Sequence, residues 1–168
     1  CDLTHATPAA FVANVKNRDL QEQIALSYLE EYCDIALGGG AERFTSKGRK
    51  DKLNLIDSLA KRGYAVVYSQ DELSKCESEK ILGLFAEGHL PEASKRSGVM
   101  QQYMLKALEQ LDKNPNGFFM MLEGSRIDME AHLNKYDAMV EETLDFDRCV
   151  AIALDFAKRK GNTLVVVT

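Results

Sequence analysis

Residues with metal-binding side chains follow the apolar run FFMML (residues 118–122) within ten positions. Glu123 comes directly after this run, and Asp128 and His132 come later in the same segment. If a helix or helical turn follows Ile127, Asp128 and His132 lie on one face at i and i+4, with Cβ atoms about 5–6 Å apart. Two side chains placed in this way can bind one cation. A carboxylate oxygen with a neutral imidazole nitrogen suits Zn²⁺, whereas Glu123 could serve a harder ion such as Mg²⁺.

The same residues also have a structural interpretation that needs no ligand. Asp128 can cap the helix, and His132 can be an ordinary surface residue. Glu123 can pair with Arg126 across one helical turn. Because D-x-x-x-H is a common spacing, the residues alone leave the metal-binding and the structural interpretations open.

Five short apolar runs predict the β-strands that would position these side chains. The runs read DIALGGG, YAVVYS, ILGLFA, FFMML and TLVVV. They are apolar on both faces and alternate with predicted helices, which indicates an α/β fold with a largely parallel sheet and helices on both faces. In such a sheet the ligand crevice lies beyond the carboxyl ends of the strands, and Glu123 falls at such an end.

Apolar residues at helical spacing predict the helices. One helix begins after Thr7-Pro8, with Thr7 as its cap and Pro8 suited to the first helical position. Longer helices are predicted over 20–31, 91–111 and 134–160, and shorter ones before or between the second and third strands. The turn signal NPNG follows the second of the longer helices.

Three other stretches predict loops. TSKGRKDK, residues 45–52, is typical of an exposed loop. The glycines at 38–40 match neither the G-x-G-x-x-G nor the Walker pattern, and they predict a tight strand exit instead. His89, in EGHLPE, is predicted to be a loop residue.

Composition and charge exclude some classes of function. The 168 residues are 45% apolar and carry a net charge of −5, with acidic and basic residues interspersed. This supports one folded domain or a piece of one, and argues against a nucleic-acid-binding surface built on a broad basic patch. No stretch approaches the roughly 18–20 apolar residues that span a bilayer, and residues 1–19 do not resemble a signal peptide.

The four cysteines are scattered and contain no CxxC pair or zinc-finger spacing. They are Cys1, Cys33, Cys76 and Cys149. This pattern favours buried or incidental thiols, but one or two disulfides in an oxidising compartment fit it as well, and the sequence does not choose a pairing.

Four motifs, in the same order, resemble the alkaline phosphatase family. GFFMMLEGSRIDMEAH is similar to the family's V-E-G-x-x-I-D-x-x-x-H segment, and NTLVVVT to its later N-T-L-V-V-V-T strand. THATPAAFVANVKNR resembles its A-T-P-A or A-S-P-A segment, and DIALGGGAERF resembles its D-V-I-L-G-G-G motif. The resemblance implies an incomplete three-layer α/β sandwich, in which residues 1–168 form a single partial domain and an internal piece of a larger one.

The resemblance also implies roles for individual residues. Thr7 and Glu123 are expected to bind magnesium, and Asp128 and His132 are expected to bind the first of two zinc ions. Arg18 is expected to clamp the substrate phosphate, because a planar guanidinium can donate two parallel hydrogen bonds to phosphate oxygens.

Two further residues are expected beside the metal ligands rather than among them. His5 matches a variable position where relatives carry Asp or His, although an ordinary loop histidine would fit equally well. Met129 stands where relatives carry Lys or His. Its thioether supplies neither a charge nor a strong ligand, so any tuning of the phosphate at that point is in doubt.

The family hydrolyses phosphate monoesters through a covalent phosphoserine, with two zinc ions and one magnesium ion. The nucleophilic serine is expected in a D-S-A or D-S-S segment upstream of the A-T-P motif, and further zinc ligands in an A-D-H motif after the V-V-V-T strand. Neither segment is in this sequence. We therefore expect a chain that binds zinc weakly and does not hydrolyse phosphate esters alone, from a parent that is exported to the periplasm or secreted and that forms a homodimer.

Other functions share part of this pattern. A phosphomutase or a sulfatase of the same metal-dependent superfamily would have the same sheet and similar metal ligands. The E-G-x-x-I-D segment combined with A-T-P-A favours the phosphatase. A packing or interaction module without catalysis is the remaining alternative.

Overall fold

Two compact units make up the chain in the computed structural model, which describes residues 1–30 and 33–168. Unit 1 comprises Cys1–Leu90, and unit 2 comprises Pro91–Thr168. Each unit has its own cluster of buried apolar side chains. Each therefore has a hydrophobic core of its own.

Unit 1 contains a parallel three-stranded sheet with the strand order β1–β3–β2. The strands are β1 (Ile35–Gly38), β2 (Ala65–Val67) and β3 (Ile81–Leu84). Ile81 of β3 is in register with Ile35 of β1 and Ala65 of β2. All of β3 is buried, as expected for the central strand of a parallel sheet. The first three predicted strands and the parallel α/β class are confirmed.

The described residues of unit 1 include four α-helices. They are α1 (Ala6–Val12), α2 (Gln21–Ser27), α3 (Leu55–Lys61) and α4 (Gln70–Lys75). Helices α3 and α4 connect successive strands, so the segment has the β-α-β-α-β order that a parallel sheet requires. Leu55 and Leu59 of α3, one turn apart, pack in the core with Phe44 and Leu82.

Helix α2 is shorter than the predicted helix over 20–31. A 3₁₀ turn, Tyr28–Glu30, follows it directly. The end of the predicted helix, at Glu31, lies outside the described residues.

The prediction that Thr7 caps the first helix is wrong. Helix α1 begins at Ala6, and His5 is its N-cap residue. The Asp2 carboxylate accepts hydrogen bonds from the backbone N–H and the hydroxyl of Thr4, both at 2.8 Å, and this turn brings the chain into the helix early. Pro8 is then the third helical residue, where the missing N–H is still tolerated because the first turn has no intrahelical acceptors for it.

The predicted exposed loop at 45–52 is irregular, but one of its residues is buried. Arg49 is only 1% exposed. Its guanidinium donates to the Asp51 carboxylate and to the backbone carbonyls of Glu22 and Arg43. The prediction of exposure is therefore wrong at Arg49, because paired charges make burial of the guanidinium possible.

Unit 2 is built from three helices and a 3₁₀ turn. They are the turn Ala93–Lys95 and the helices α5 (Val99–Leu111), α6 (Ser125–His132) and α7 (Tyr136–Lys160). Helix α5 begins later than predicted because Gly98, with φ of 71°, interrupts the helical backbone before it. Gly117 of the NPNG turn has φ of 84°, which confirms the turn after α5.

The last two predicted strands are wrong. Residues 118–122 and 163–167 have irregular structure in the described part of the chain. Within 118–122, Phe118 and Met120 pack against the core of unit 2, whereas Phe119 is 75% exposed. Apolar runs predict burial, but a β-strand also requires a hydrogen-bonded ladder with a neighbouring strand.

All four cysteines are free thiols in the structure, and Cys149 is fully buried. Within residues 1–30 and 33–168, no helix has the length and apolar character to cross a membrane.

Candidate functional site

Asp128 and His132 form a contacting pair on helix α6. His132 Nε2 lies 3.4 Å from Asp128 Oδ1, and the two side chains are 78% and 79% exposed. The prediction that they share one helix face is confirmed. Helix α6 has Gly124 as its N-cap residue, so Asp128 lies beyond the cap and does not fill that role.

The opposite face of α6 is held by buried charges. The Arg126 guanidinium pairs with Glu130 one turn later, and its Nε lies 3.5 Å from Glu142 Oε1. Lys135 Nζ lies 3.4 Å from Glu130 Oε2, and the Glu130 side chain has no solvent exposure. Because these contacts fix one side of the helix, Asp128 and His132 are presented to solvent on the other.

Glu123 and Met129 flank this pair. Glu123 is partly buried and lies just before Gly124, where α6 begins. A Cβ at Gly124 would lie 2.9 Å from the Ile127 side chain and 3.1 Å from Phe146 of α7, so this position needs glycine for close packing. Met129 is also partly buried.

The donor atoms of the α6 pair fit one zinc ion. Two atoms that bind a tetrahedral zinc at about 2.0–2.1 Å lie roughly 3.3 Å apart, close to the observed 3.4 Å between Asp128 Oδ1 and His132 Nε2. Two such atoms would be two of the four ligands of a tetrahedral site. Within the part of the chain that the structure describes, no three His, Cys, Asp or Glu side chains are grouped to hold a metal ion.

In unit 1, Arg18 and His5 are in contact. Arg18 Nη2 lies 3.3 Å from His5 Nε2, although the residues are 13 positions apart. Arg18 is exposed in a turn that Asn17 organises, with the Asn17 side chain accepting from the Asp19 N–H at 3.0 Å. Arg18, the predicted phosphate clamp, is therefore in contact with His5, which is predicted to lie beside the metal ligands.

Thr7 lies in the first turn of α1, two residues after His5, and is partly buried. Its hydroxyl is a hard oxygen donor of the kind that magnesium prefers. Thr7 belongs to unit 1, whereas Glu123, the other predicted magnesium ligand, belongs to unit 2.

His89 contacts His5, and the sequence did not reveal this contact. Its ring packs edge-on against His5, with ring centroids 5.0 Å apart and an interplanar angle of 86°. Its Nδ1 accepts a hydrogen bond from the Asp2 backbone N–H at 3.1 Å. His89 is 84 positions from His5, so no local pattern could have linked them.

A second group that the sequence did not reveal is a buried ion cluster in unit 2. Arg96, only 7% exposed, pairs with both Glu142 and Asp145 of α7. Gln101 Nε2 donates to Asp145 Oδ1 at 2.7 Å, and Glu142 accepts from the Ala93 N–H at 2.7 Å. These contacts hold the segment before α5 against α7.

Burial also raises the pKa of two thiols in these units. The pKa of Cys149 rises to about 11, first because it is desolvated and second because Asp145 is nearby. Desolvation, followed by the neighbouring Asp34, raises the pKa of Cys33 to about 11. Both thiols are therefore protonated near neutral pH and are poor metal ligands.

The chain is similar to known proteins of one family. The family profile described as alkaline phosphatase matches residues 1–168. Alkaline phosphatase 4 of Bacillus subtilis is 36% identical over 176 residues, covering 99% of this chain and 37% of that protein. The alkaline phosphatase of Escherichia coli is 31% identical over 218 residues, covering 99% of this chain and 46% of that protein.

Solved structures of alkaline phosphatases are also similar to the chain. Thermus thermophilus alkaline phosphatase has a TM-score of 0.89 at 34% identity, covering 94% of this chain and 35% of that one. The enzyme from the Antarctic bacterium TAB5 has a TM-score of 0.89 at 35% identity, covering 96% and 48%. A histidine variant of the TAB5 enzyme, similar at a TM-score of 0.88, is described with magnesium bound in a site named M3.

This chain spans less than half the length of each of these relatives. Its match to the family profile nevertheless runs from the first residue to the last. Its parallel sheet and helices are those of an incomplete α/β sandwich of the same type. The chain belongs to the alkaline phosphatase family.

Proposed function

We propose that this chain supplies the phosphate clamp and part of the metal-binding side chains of a metal-dependent phosphate monoester hydrolase. The observation that carries the proposal is the exposed pair on α6, where the Asp128 and His132 donor atoms lie 3.4 Å apart. A pair of this geometry on a solvated helix face has the donor types and the spacing that zinc requires.

Four residues would hold the metals. Asp128 and His132 would bind zinc, and Thr7 and Glu123 would supply oxygen donors to magnesium. When bound, these cations would provide positive charge for the phosphoryl oxygens and lower the pKa of the attacking group. The magnesium described for a variant of the TAB5 enzyme supports the proposed metal binding.

Arg18 would bind and orient the phosphate. Its guanidinium is exposed, and His5 accepts one of its N–H groups, so the remaining donors can point toward a ligand. Two parallel N–H donors match two phosphate oxygens, which fixes the rotation of the phosphoryl group. Arg18 would also stabilise negative charge that develops on those oxygens.

The catalytic cycle needs residues that this chain does not contain. In our proposal the nucleophilic serine and the remaining zinc ligands come from other segments of a longer protein. The 168-residue chain alone is then inactive and binds zinc weakly. Export of the longer protein and its assembly as a homodimer are part of the same proposal.

The experiment compares the longer protein with the 168-residue chain. We expect the longer protein to hydrolyse p-nitrophenyl phosphate, to lose this activity with a chelator and to regain it with zinc and magnesium. The isolated chain should show no turnover. Faster hydrolysis of p-nitrophenyl sulfate would identify a sulfatase instead, and the absence of both activities with full metal loading would favour a packing module.

A further inference from the structure

The imidazole of His89 lies between the backbone of Asp2 and the ring of His5. The Asp2 N–H donates to His89 Nδ1 at 3.1 Å, and the two imidazole rings meet edge to face at 5.0 Å. His5 in turn contacts Arg18 Nη2 at 3.3 Å. A continuous series of contacts therefore runs from the backbone of residue 2 to the Arg18 guanidinium.

The hydrogen-bond partners determine the tautomers of both histidines. A backbone N–H and a guanidinium N–H can only donate, so His89 Nδ1 and His5 Nε2 must both accept. His89 therefore carries its proton on Nε2, and His5 carries its proton on Nδ1.

Two glycines allow the His89 loop to reach this position. The Gly40 N–H donates to the Gly88 carbonyl at 2.8 Å, and the Gly39 N–H donates to the Cys1 carbonyl at 2.7 Å. A Cβ at Gly39 would lie 1.9 Å from the Gly88 oxygen, and a Cβ at Gly40 would lie 2.2 Å from Asp2 Oδ1. The strand exit thus fixes the N-terminal segment and the His89 loop relative to each other.

We infer that His89 is a positioning residue for the phosphate clamp Arg18. His89 holds the His5 ring, and the His5 ring in turn holds the Arg18 guanidinium in the orientation that receives phosphate. The inference rests on the proposed role of Arg18. Arg18 is exposed and has a long, flexible side chain, so ordering it before the ligand arrives reduces the entropy lost on binding.

The first test is a double-mutant cycle on inhibition of the longer protein by inorganic phosphate. His89→Ala should raise the inhibition constant about two- to tenfold, the range expected for one hydrogen bond. His89→Asn keeps an acceptor near the Asp2 N–H but lacks the ring, so its effect should be smaller. In the Arg18→Ala background, His89→Ala should add nothing, because its effect acts through Arg18.

The second test reads the tautomers directly and does not depend on activity. The chain has only three histidines, so the ¹⁵N imidazole resonances can be assigned with single variants. We expect His89 as the Nε2–H tautomer and His5 as the Nδ1–H tautomer, with the His5 signals shifted by His89→Ala.

The outcomes separate this inference from the proposed function. A longer protein that hydrolyses no phosphate ester would contradict the proposed function. The ¹⁵N resonances of His5 and His89 would still test the contacts between Asp2, His89, His5 and Arg18. Unchanged His5 resonances in His89→Ala overturn the positioning role. Equal effects of His89→Ala with and without Arg18 overturn it as well, and thermal unfolding of each variant shows whether unit 1 remains folded.

Discussion

Asp128 Oδ1 lies 3.4 Å from His132 Nε2, one turn apart on the exposed face of α6. Buried ion pairs of Arg126 and Glu130 hold the other face of the same helix. The pair is therefore presented to solvent from a rigid element, as a metal ligand pair needs to be.

Loss of the imidazole should weaken zinc binding. Loss of a group that only hydrogen-bonds to a metal ligand typically lowers metal affinity roughly 10–100-fold. We expect His132→Ala in the longer protein to lower zinc affinity by more than this, because His132 is proposed to bind the zinc itself. Titration calorimetry with zinc measures this. The matched control is Arg159→Ala, which removes one member of the exposed Asp155–Arg159 pair on α7, also at i and i+4. Equal zinc affinities of His132→Ala and the control would remove His132 from the site.

Loss of the Arg18 guanidinium should weaken phosphate binding. Arg18→Ala is expected to raise the inhibition constant of inorganic phosphate about 10–100-fold, because charged hydrogen bonds contribute roughly 1.5–3 kcal/mol. Arg18→Lys should raise this inhibition constant by less than Arg18→Ala, since an ammonium keeps the charge but not the planar pair of donors. Lys61→Ala, at the exposed end of α3, serves as the control. Steady-state kinetics that do not change in Arg18→Ala would contradict the clamp.

A side chain at Gly39 should destabilise unit 1. The added Cβ of Gly39→Ala would meet the Gly88 carbonyl at 1.9 Å, and the backbone must move to relieve it. We expect a loss of about 1–3 kcal/mol in the free energy of unfolding, measured by urea denaturation. Gly88→Ala is the matched control, because a Cβ there has no atom within 4 Å. Similar midpoints for both variants would show that the close approach at Gly39 is not needed.

Breaking the buried ion cluster should destabilise unit 2. Asp145→Ala leaves the Arg96 charge with one partner fewer in a buried setting, and we expect a loss of about 3–5 kcal/mol. Asp155→Ala removes an exposed carboxylate from the same helix and should change the free energy by less than about 0.5 kcal/mol. The midpoints of urea denaturation of Asp145→Ala and Asp155→Ala measure this difference in stability. A small effect of Asp145→Ala would mean that water or another group replaces the lost carboxylate.

The stability of the chain should fall at alkaline pH. Burial raises the pKa of Cys149 from its ordinary 9.0 to about 11, so the unfolded chain releases this proton before the folded chain does. The stabilisation is therefore complete below about pH 9 and is lost as pH rises toward 11. Cys33 acts in the same direction. Urea midpoints at several pH values should fall across this window, and the fall should be smaller in Cys149→Ala. The same slope in both proteins would contradict the shift at Cys149.

The parts of the fold that local pattern controls could be predicted from the sequence. The runs that begin at Ile35 and Ile81 contain no charged or polar side chain, and both form strands of the parallel sheet. Helix α7 was predicted from its periodicity to within two residues at its start. The run at 118–122 is equally apolar but forms no strand, because pairing depends on a neighbouring strand that composition does not specify.

The candidate site was predictable where its residues are close in sequence. Asp128 and His132 meet because the helical repeat places them together. The contact of His89 with Asp2 and the pairing of Arg96 with Asp145 span 87 and 49 positions. Contacts of this range depend on how the elements pack, and a single sequence contains no periodic signal for them.

The strand exit at Gly39 and Gly40 also bears on the order of folding. It joins residues 1–3 to the loop at 86–89, so these contacts close a long segment of unit 1. Closing so long a loop is slow compared with forming a helix such as α1. During synthesis, residues 1–5 can make these contacts only after His89 has left the ribosome. We therefore expect the contact between His5 and His89 to form after the local helices of unit 1.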